Sequence, residues 1–167
     1  MCAKKEKIDS SHFSPDTVEL VKLLYLHRVR YLLIGGEAVI FYGHARLTGD
    51  VDFFYENTEQ NVELLYKALI DFWCGSVPEI QDADELREDG LILQFGRPPN
   101  RIDLINQISG VTFNEAWPER TEAVIECPSG EETPVFYMGR KQLIKNKNAA
   151  ARPKDLDDIP YLGDTNR

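Results

Sequence analysis

The sequence predicts an α+β domain, a mixed and mostly antiparallel sheet with helices packed on it. Short apolar runs of strand length recur at residues 30–34 (RYLLI), 50–55 (DVDFFY), 91–95 and 101–105. Amphipathic stretches with helical spacing lie between and after them. The last two of these runs are joined by GRPPN, whose glycine and prolines suit a hairpin connection longer than two residues. At 167 residues, 43% of them apolar, the chain has the size and composition of one domain with one core.

Taken in order, residues 1–13 are polar and lack periodicity, which predicts a loose, flexible N-terminus ahead of a single domain over 14–167. Ser14-Pro15 is a helix cap followed by proline at the first helical position, and Val18, Leu20, Val21, Leu24 and Tyr25 supply the apolar stripe of a helix ending near His27. The strand at 30–34 runs into Gly35-Gly36 and a second helical stretch, EAVIFYG. After the strand at 50–55, Thr58 caps a longer helix carrying Val62, Leu64, Leu65, Leu69 and Phe72. The polar, acidic stretch 78–90 is expected to be a mobile loop. Beyond the hairpin, 123–126 and 135–138 are weaker strands flanking the turn-like PSGEE. Residues 140–150 read as a helix, and a last helix starts at Pro153 with Leu156, Ile159 and Leu162.

Charge and residue usage narrow the chemistry. Lys and Arg total 19 against 28 Asp and Glu, a net charge of −9, so long-range attraction to nucleic acid and non-specific DNA binding are not expected. No apolar run reaches a membrane span, and no apolar stretch follows the basic start to form a signal peptide, which predicts a cytoplasmic protein with no membrane partner. Cys2, Cys74 and Cys127 are odd in number and widely spaced, as reduced thiols would be, with Cys127 expected to be partly buried. His12, His27 and His44 lack metal-ligand spacing, which leaves metal chemistry to carboxylates.

Side chains in a strand alternate faces, so Asp50 and Asp52 point the same way, with Cα atoms roughly 6.6 Å apart. Aspartate is disfavoured in strands, and two beside aromatic residues in an apolar run need a reason. Asp103, on a neighbouring strand, would bring a third carboxylate within a few ångströms of both. Like charges about 4 Å apart repel by several kcal/mol near a protein surface, so such a cluster holds protons or a cation. Mg²⁺ or Mn²⁺ suits oxygen ligands that leave room for water and substrate phosphate. For Asp103 the spacing Arg101-Ile102-Asp103 equally allows an ordinary ion pair along one strand face. Gly35-Gly36 would let backbone N–H groups approach an anion at the start of the next helix.

The stretch YLLIGGEAVIFYGHARLTGDVDFF, with the later RIDLIN and the C-terminal KNKNAAARPKDLDDIPYL, resembles the nucleotidyltransferase superfamily, whose fold is that of DNA polymerase β. The likeness is to the small bacterial branch related to abortive-infection toxins and minimal antitoxin-type transferases, and it covers most of residues 30–163. It implies transfer of a nucleoside monophosphate from an NTP to an acceptor hydroxyl, with release of pyrophosphate and with Mg²⁺ or Mn²⁺ as the metal. By this resemblance Asp50, Asp52 and Asp103 are the catalytic and metal-binding acids, and Gly35 and Gly36 cradle the triphosphate. Arg46 and Thr48 orient the site, and Lys147, Arg152 and Lys154 neutralise phosphate charge. Asp155, Asp157 and Asp158 fall in the first turns after Pro153, where acids favour a helix start and read as structural. Glu37 stands where many members carry serine. The implied partners are the NTP, an acceptor that is tRNA, protein or small molecule, and a cognate protein of a toxin–antitoxin or phage-defence pair. Two other readings stay open: a catalytically weak, antitoxin-like protein that keeps the fold to bind a partner, and an antibiotic nucleotidyltransferase using the acidic 78–90 stretch to meet a cationic drug.

Overall fold

A computed structural model of the chain describes residues 5–163. The strands are β1 (Glu6–Asp9), β2 (Tyr31–Ile34), β3 (Asp50–Tyr55), β4 (Ile92–Phe95), β5 (Arg101–Ile105), β6 (Thr121–Glu126) and β7 (Glu132–Tyr137). The helices are α1 (Pro15–Leu26), α2 (Gly35–Phe41), α3 (Glu59–Phe72), α4 (Phe113–Ala116), α5 (Arg140–Ala150) and α6 (Pro153–Gly163). All seven strands form one mixed sheet in the order β1-β6-β7-β2-β3-β5-β4, giving the expected α+β architecture. Its ladders alternate. β1–β6, β7–β2 and β3–β5 are parallel, whereas β6–β7, β2–β3 and β4–β5 are antiparallel. The balance is more even than the hairpin alone suggests. The long connection through α3 carries the chain to the sheet edge as β4, and the hairpin then inserts β5 beside β3 in the same direction.

Local chemistry explains the elements that position the site. Every residue of β2 is buried, as befits a central strand covered on both faces. Ser14 Oγ accepts the Thr17 N–H ahead of α1, and Thr58 Oγ1 accepts the Asn61 N–H ahead of α3. Leu20 and Leu24 of α1, Leu65 and Leu69 of α3, and Tyr31 and Phe53 of the sheet belong to one contiguous apolar cluster. Asn61 fixes α3 against the sheet. Its buried side chain accepts from the Arg30 N–H at 2.8 Å and donates to the carbonyls of Arg30 and Glu56 at 3.0 and 2.9 Å.

Two segments depart from expectation. In place of a loose terminus over residues 1–13, the chain from Glu6 forms an edge strand in register with β6, Ile8 opposite Ile125, followed by a 3-10 turn at Ser10–His12. The pairing is made by backbone groups, so four residues with one apolar side chain leave no signature. Residues 1–4 of that expected terminus, Cys2 among them, and residues 164–167 of the expected domain lie outside the described residues.

The second departure is the acidic stretch 78–90, which is pinned and not a free loop. Asp82 and Glu85 cap a 3-10 turn at Ala83–Arg87 reciprocally. Tyr55 Oη donates to the Leu86 carbonyl at 2.7 Å. Asn106 Nδ2 donates to the carbonyls of Leu86 and Glu88, and Asn106 Oδ1 accepts the Gly90 N–H. Val77, Ile80, Ala83 and Leu86 are buried at intervals of three in an acidic background, the last two within the 3-10 turn. Asn106→Ala should therefore lower unfolding stability by about 2–3 kcal/mol, read as a shift in denaturant midpoint. It should also open 78–90 to limited proteolysis that the wild-type protein resists.

Candidate functional site

Strand register assembles the acids. β3 and β5 run parallel with Asp52 beside Asp103 and Asp50 beside Arg101, while β4 places Gln94 beside Asp103. Paired residues in a ladder share a face, so Asp52, Asp103 and Gln94 form one row, and Asp50 with Arg101 forms the next. Val51, Phe53, Ile102 and Leu104 take the opposite face and are buried, which locks the register: a slip of one residue would turn the acids into the core. The outcome is three carboxylates, each offering an oxygen within 4.8 Å of the others. The metal-binding grouping expected of Asp50, Asp52 and Asp103 is thus present as geometry.

The glycines are explained by what lies against them. β2 and β3 pair antiparallel with Ile34 opposite Asp52, so the Asp52 carboxylate sits against the next residue, Gly35. A Cβ on Gly35 would collide with Asp52 Oδ2, and the residue's φ of +63° also favours glycine. A Cβ on Gly36 would lie 2.7 Å from Thr48 Oγ1 and 3.3 Å from the Arg46 guanidinium. Gly35-Gly36 opens α2, whose N-cap, Ile34, supplies no side-chain hydrogen bond. Burial pushes the Asp52 carboxyl up to about 7, and the charges of Asp50 and Asp103 push in the same direction, against the opposing pull of Arg101 and Arg152.

Arg101 spans the other two acids. Its Nη2 donates to Asp50 Oδ2 at 2.7 Å and to Asp103 Oδ2 at 3.1 Å, and its Nε donates to Asp103 Oδ1 at 2.8 Å. Gln94 Nε2 adds a bond to Asp103 Oδ2, and Thr48 Oγ1 donates to the Asp50 carbonyl at 3.0 Å. The ion pair that the spacing Arg101-Ile102-Asp103 allows does form, and it coexists with the acidic cluster. An all-oxygen donor set whose Asp52 carboxyl is pushed up by burial, and further by its acidic neighbours, fits a hard divalent ion such as Mg²⁺ or Mn²⁺.

The expected basic residues divide. Lys147 is buried, with its ammonium 3.2 Å from Asp155 and 2.8 Å from Asp158, so it is committed to the α5–α6 contact and does not face outward toward a phosphate. Asp155 and Asp158 are structural, but through these buried ion pairs rather than through the helix dipole alone. Arg46 also meets Asp158, through nitrogen–oxygen contacts of 2.9 and 3.0 Å, and His44 stacks on Tyr161 at 3.7 Å. Loop 42–49, which leads into β3, is thereby tied to α6. Arg152 donates to Asp155, keeps 76% of its side chain exposed, and is near enough to the acids for its charge to be felt at Asp52. Lys154 is exposed.

Glu37 is buried and 2.8 Å from His12 Nε2, outside the group of acids. The residues that sequence reasoning passed over are Gln94 and the bridging role of Arg101. Gln94 is found only through its register with Asp103. For α4, by contrast, the capping box Thr112–Glu115 was a usable signal. Cys74 and Cys127 are free thiols, Cys127 half-buried as expected.

Asp52 yields a pH prediction for the metal-free protein. Between the ordinary carboxyl value of 3.8 and about 7, the folded chain keeps a proton that the unfolded chain has lost, so ionising Asp52 costs stability as pH rises through that window. Asp52→Asn should remove this loss, raising Tm over wild type by several degrees at pH 8 with little effect at pH 4, as followed by circular dichroism in chelator. Comparison with known proteins adds no relative, since no protein-family model and no curated protein matches the chain.

Proposed function

We propose that the protein is a divalent-metal-dependent nucleotidyltransferase that moves a nucleoside monophosphate from an NTP to an acceptor hydroxyl. The observation that carries this reading is the Asp50, Asp52 and Asp103 cluster built against the Gly35 backbone, where strand and glycine turn meet. In the reaction, the acceptor oxygen bonds to the α-phosphorus, the bond from that phosphorus to the bridging oxygen breaks, and pyrophosphate leaves with the bond's electrons. Asp50, Asp52 and Asp103 would hold Mg²⁺ or Mn²⁺, which supplies charge neutralisation on the phosphates and on the developing alkoxide. Asp103, in the row beside Asp52, would either help hold the metal or accept the hydroxyl proton. The uncapped start of α2 offers backbone N–H groups to phosphate oxygens, and Arg152 adds an exposed positive charge near the acids. Thr48 holds the start of β3, and Arg46 holds the loop before it through Asp158.

Glu37 does not weaken this reading, since its carboxylate is engaged by His12. The antibiotic reading is the less favoured. The acidic 78–90 stretch is bonded to Tyr55 and Asn106, at the end of β3 and just past β5, about 16 Å along β3 from Asp50 at the rise of a strand. No helix among the described residues is long and apolar enough to cross a membrane. A cytoplasmic setting, an acceptor on tRNA, protein or a small molecule, and a toxin–antitoxin partner belong to the same proposal.

The test is to incubate the protein with Mg²⁺ or Mn²⁺, each labelled NTP in turn, and a mixture of tRNA, cell protein and aminoglycosides. Wild type should transfer label to one acceptor class, and Asp52→Ala should lower the rate by about a hundredfold or more. No transfer with any NTP, together with no NTP-dependent rise in Tm, would leave a partner-binding protein on the same fold as the surviving reading.

A further inference from the structure

The arginine at the acids resting on the metal-site reading above has a role that reading does not assign. We propose that Arg101 is the site's own counter-ion: it occupies Asp50 and Asp103 until a divalent ion takes them, and its guanidinium then turns to an anionic polyphosphate. Metal and polyphosphate thereby bind tightly only together.

Three observations carry this. The first is competition for the same atoms. Arg101 uses Asp50 Oδ2 and both oxygens of Asp103, three of the six carboxylate oxygens at the site, in bonds of 2.7 to 3.1 Å. A metal ion directed to those oxygens meets a fixed cation on the same lone pairs. The second is placement. Arg101 is the first residue of β5 and its side chain is 30% exposed, so the guanidinium lies at the open side of the cluster and can leave without disturbing the core. The core contacts of this strand are made by Ile102 and Leu104 on the other face. The third is the surrounding charge. Of the other basic groups near the acids, Arg152 is held by Asp155, Arg46 by Asp158, and Lys147 is buried between those two aspartates. A released Arg101 therefore finds no spare carboxylate in that network. A metal-bound polyphosphate brings its own negative charge to the same place, in a form that a guanidinium binds through two parallel hydrogen bonds.

The experiment uses the full chain, with Arg101→Gln and Arg101→Lys compared to wild type after circular dichroism has confirmed the fold. Mn²⁺ binding is measured by electron paramagnetic resonance of the free ion, and Mn²⁺–tripolyphosphate binding by calorimetry. Arg101→Gln should bind Mn²⁺ alone about tenfold more tightly than wild type, and Mn²⁺–tripolyphosphate about tenfold more weakly. Arg101→Lys, which keeps the charge but cannot fork across two carboxylates, should change in the same directions by less. Unchanged or weaker Mn²⁺ binding in both variants would overturn the proposal, because an arginine that merely scaffolds the acids loses metal when it is removed. Tighter Mn²⁺ binding with unchanged tripolyphosphate binding would overturn the hand-over. Failure of the metal-site reading looks different: no Mn²⁺ binding by wild type or either variant, or binding that Asp52→Asn leaves intact.

Discussion

The Asp52 carboxylate rests against a stretch of backbone that carries no side chain. Pairing of β2 with β3 sets Asp52 opposite Ile34, so the acid reaches the chain where it leaves the sheet at Gly35, and any Cβ there would strike its oxygen. From that contact the rest of the site follows. The Asp50 side chain must share the face of Asp52, the parallel pairing of β5 brings Asp103 alongside, and Gly36 leaves room for Thr48 and Arg46 behind the turn. The cost is a carboxyl deprived of water among like charges, which the surroundings offset with Arg101 and Arg152. A cluster that is unfavourable when empty of cations is one that favours whatever cation arrives.

Much of this was legible in the sequence, and for identifiable reasons. β3 and β5 occupy the expected residues because each is a short apolar run of strand length, and α1 and α3 begin where a capping side chain announces them. The pair Asp50 and Asp52 follows from strand alternation alone. Asp103 does not, since nothing local says which strand is its neighbour. Only the sheet order, a property of the whole chain, brings β5 next to β3.

What stayed hidden is of two kinds. Backbone-driven pairing, as in β1, leaves no side-chain pattern. Buried charge is the other kind. Lys147, Asp155 and Asp158 look in sequence like ordinary members of polar helices, and a lysine beside an expected phosphate site invites a role in binding it. Their burial arises because α5 and α6 fold back on each other, where a lysine can enter only with partners for its charge. Arg152, five residues after Lys147, keeps its exposure because it meets Asp155 from outside.

Asp158 accepts from Lys147 on α5 and also from Arg46 on the loop before β3. One carboxylate thus fastens three parts of the chain, and removing any of its partners changes the charge balance felt by the others. Substitutions at Arg46 and at Lys147, far apart in sequence, will consequently not combine additively. The loop before β3 and the last two helices thus hold one carboxylate in common, so a shift in any of the three is passed to the others.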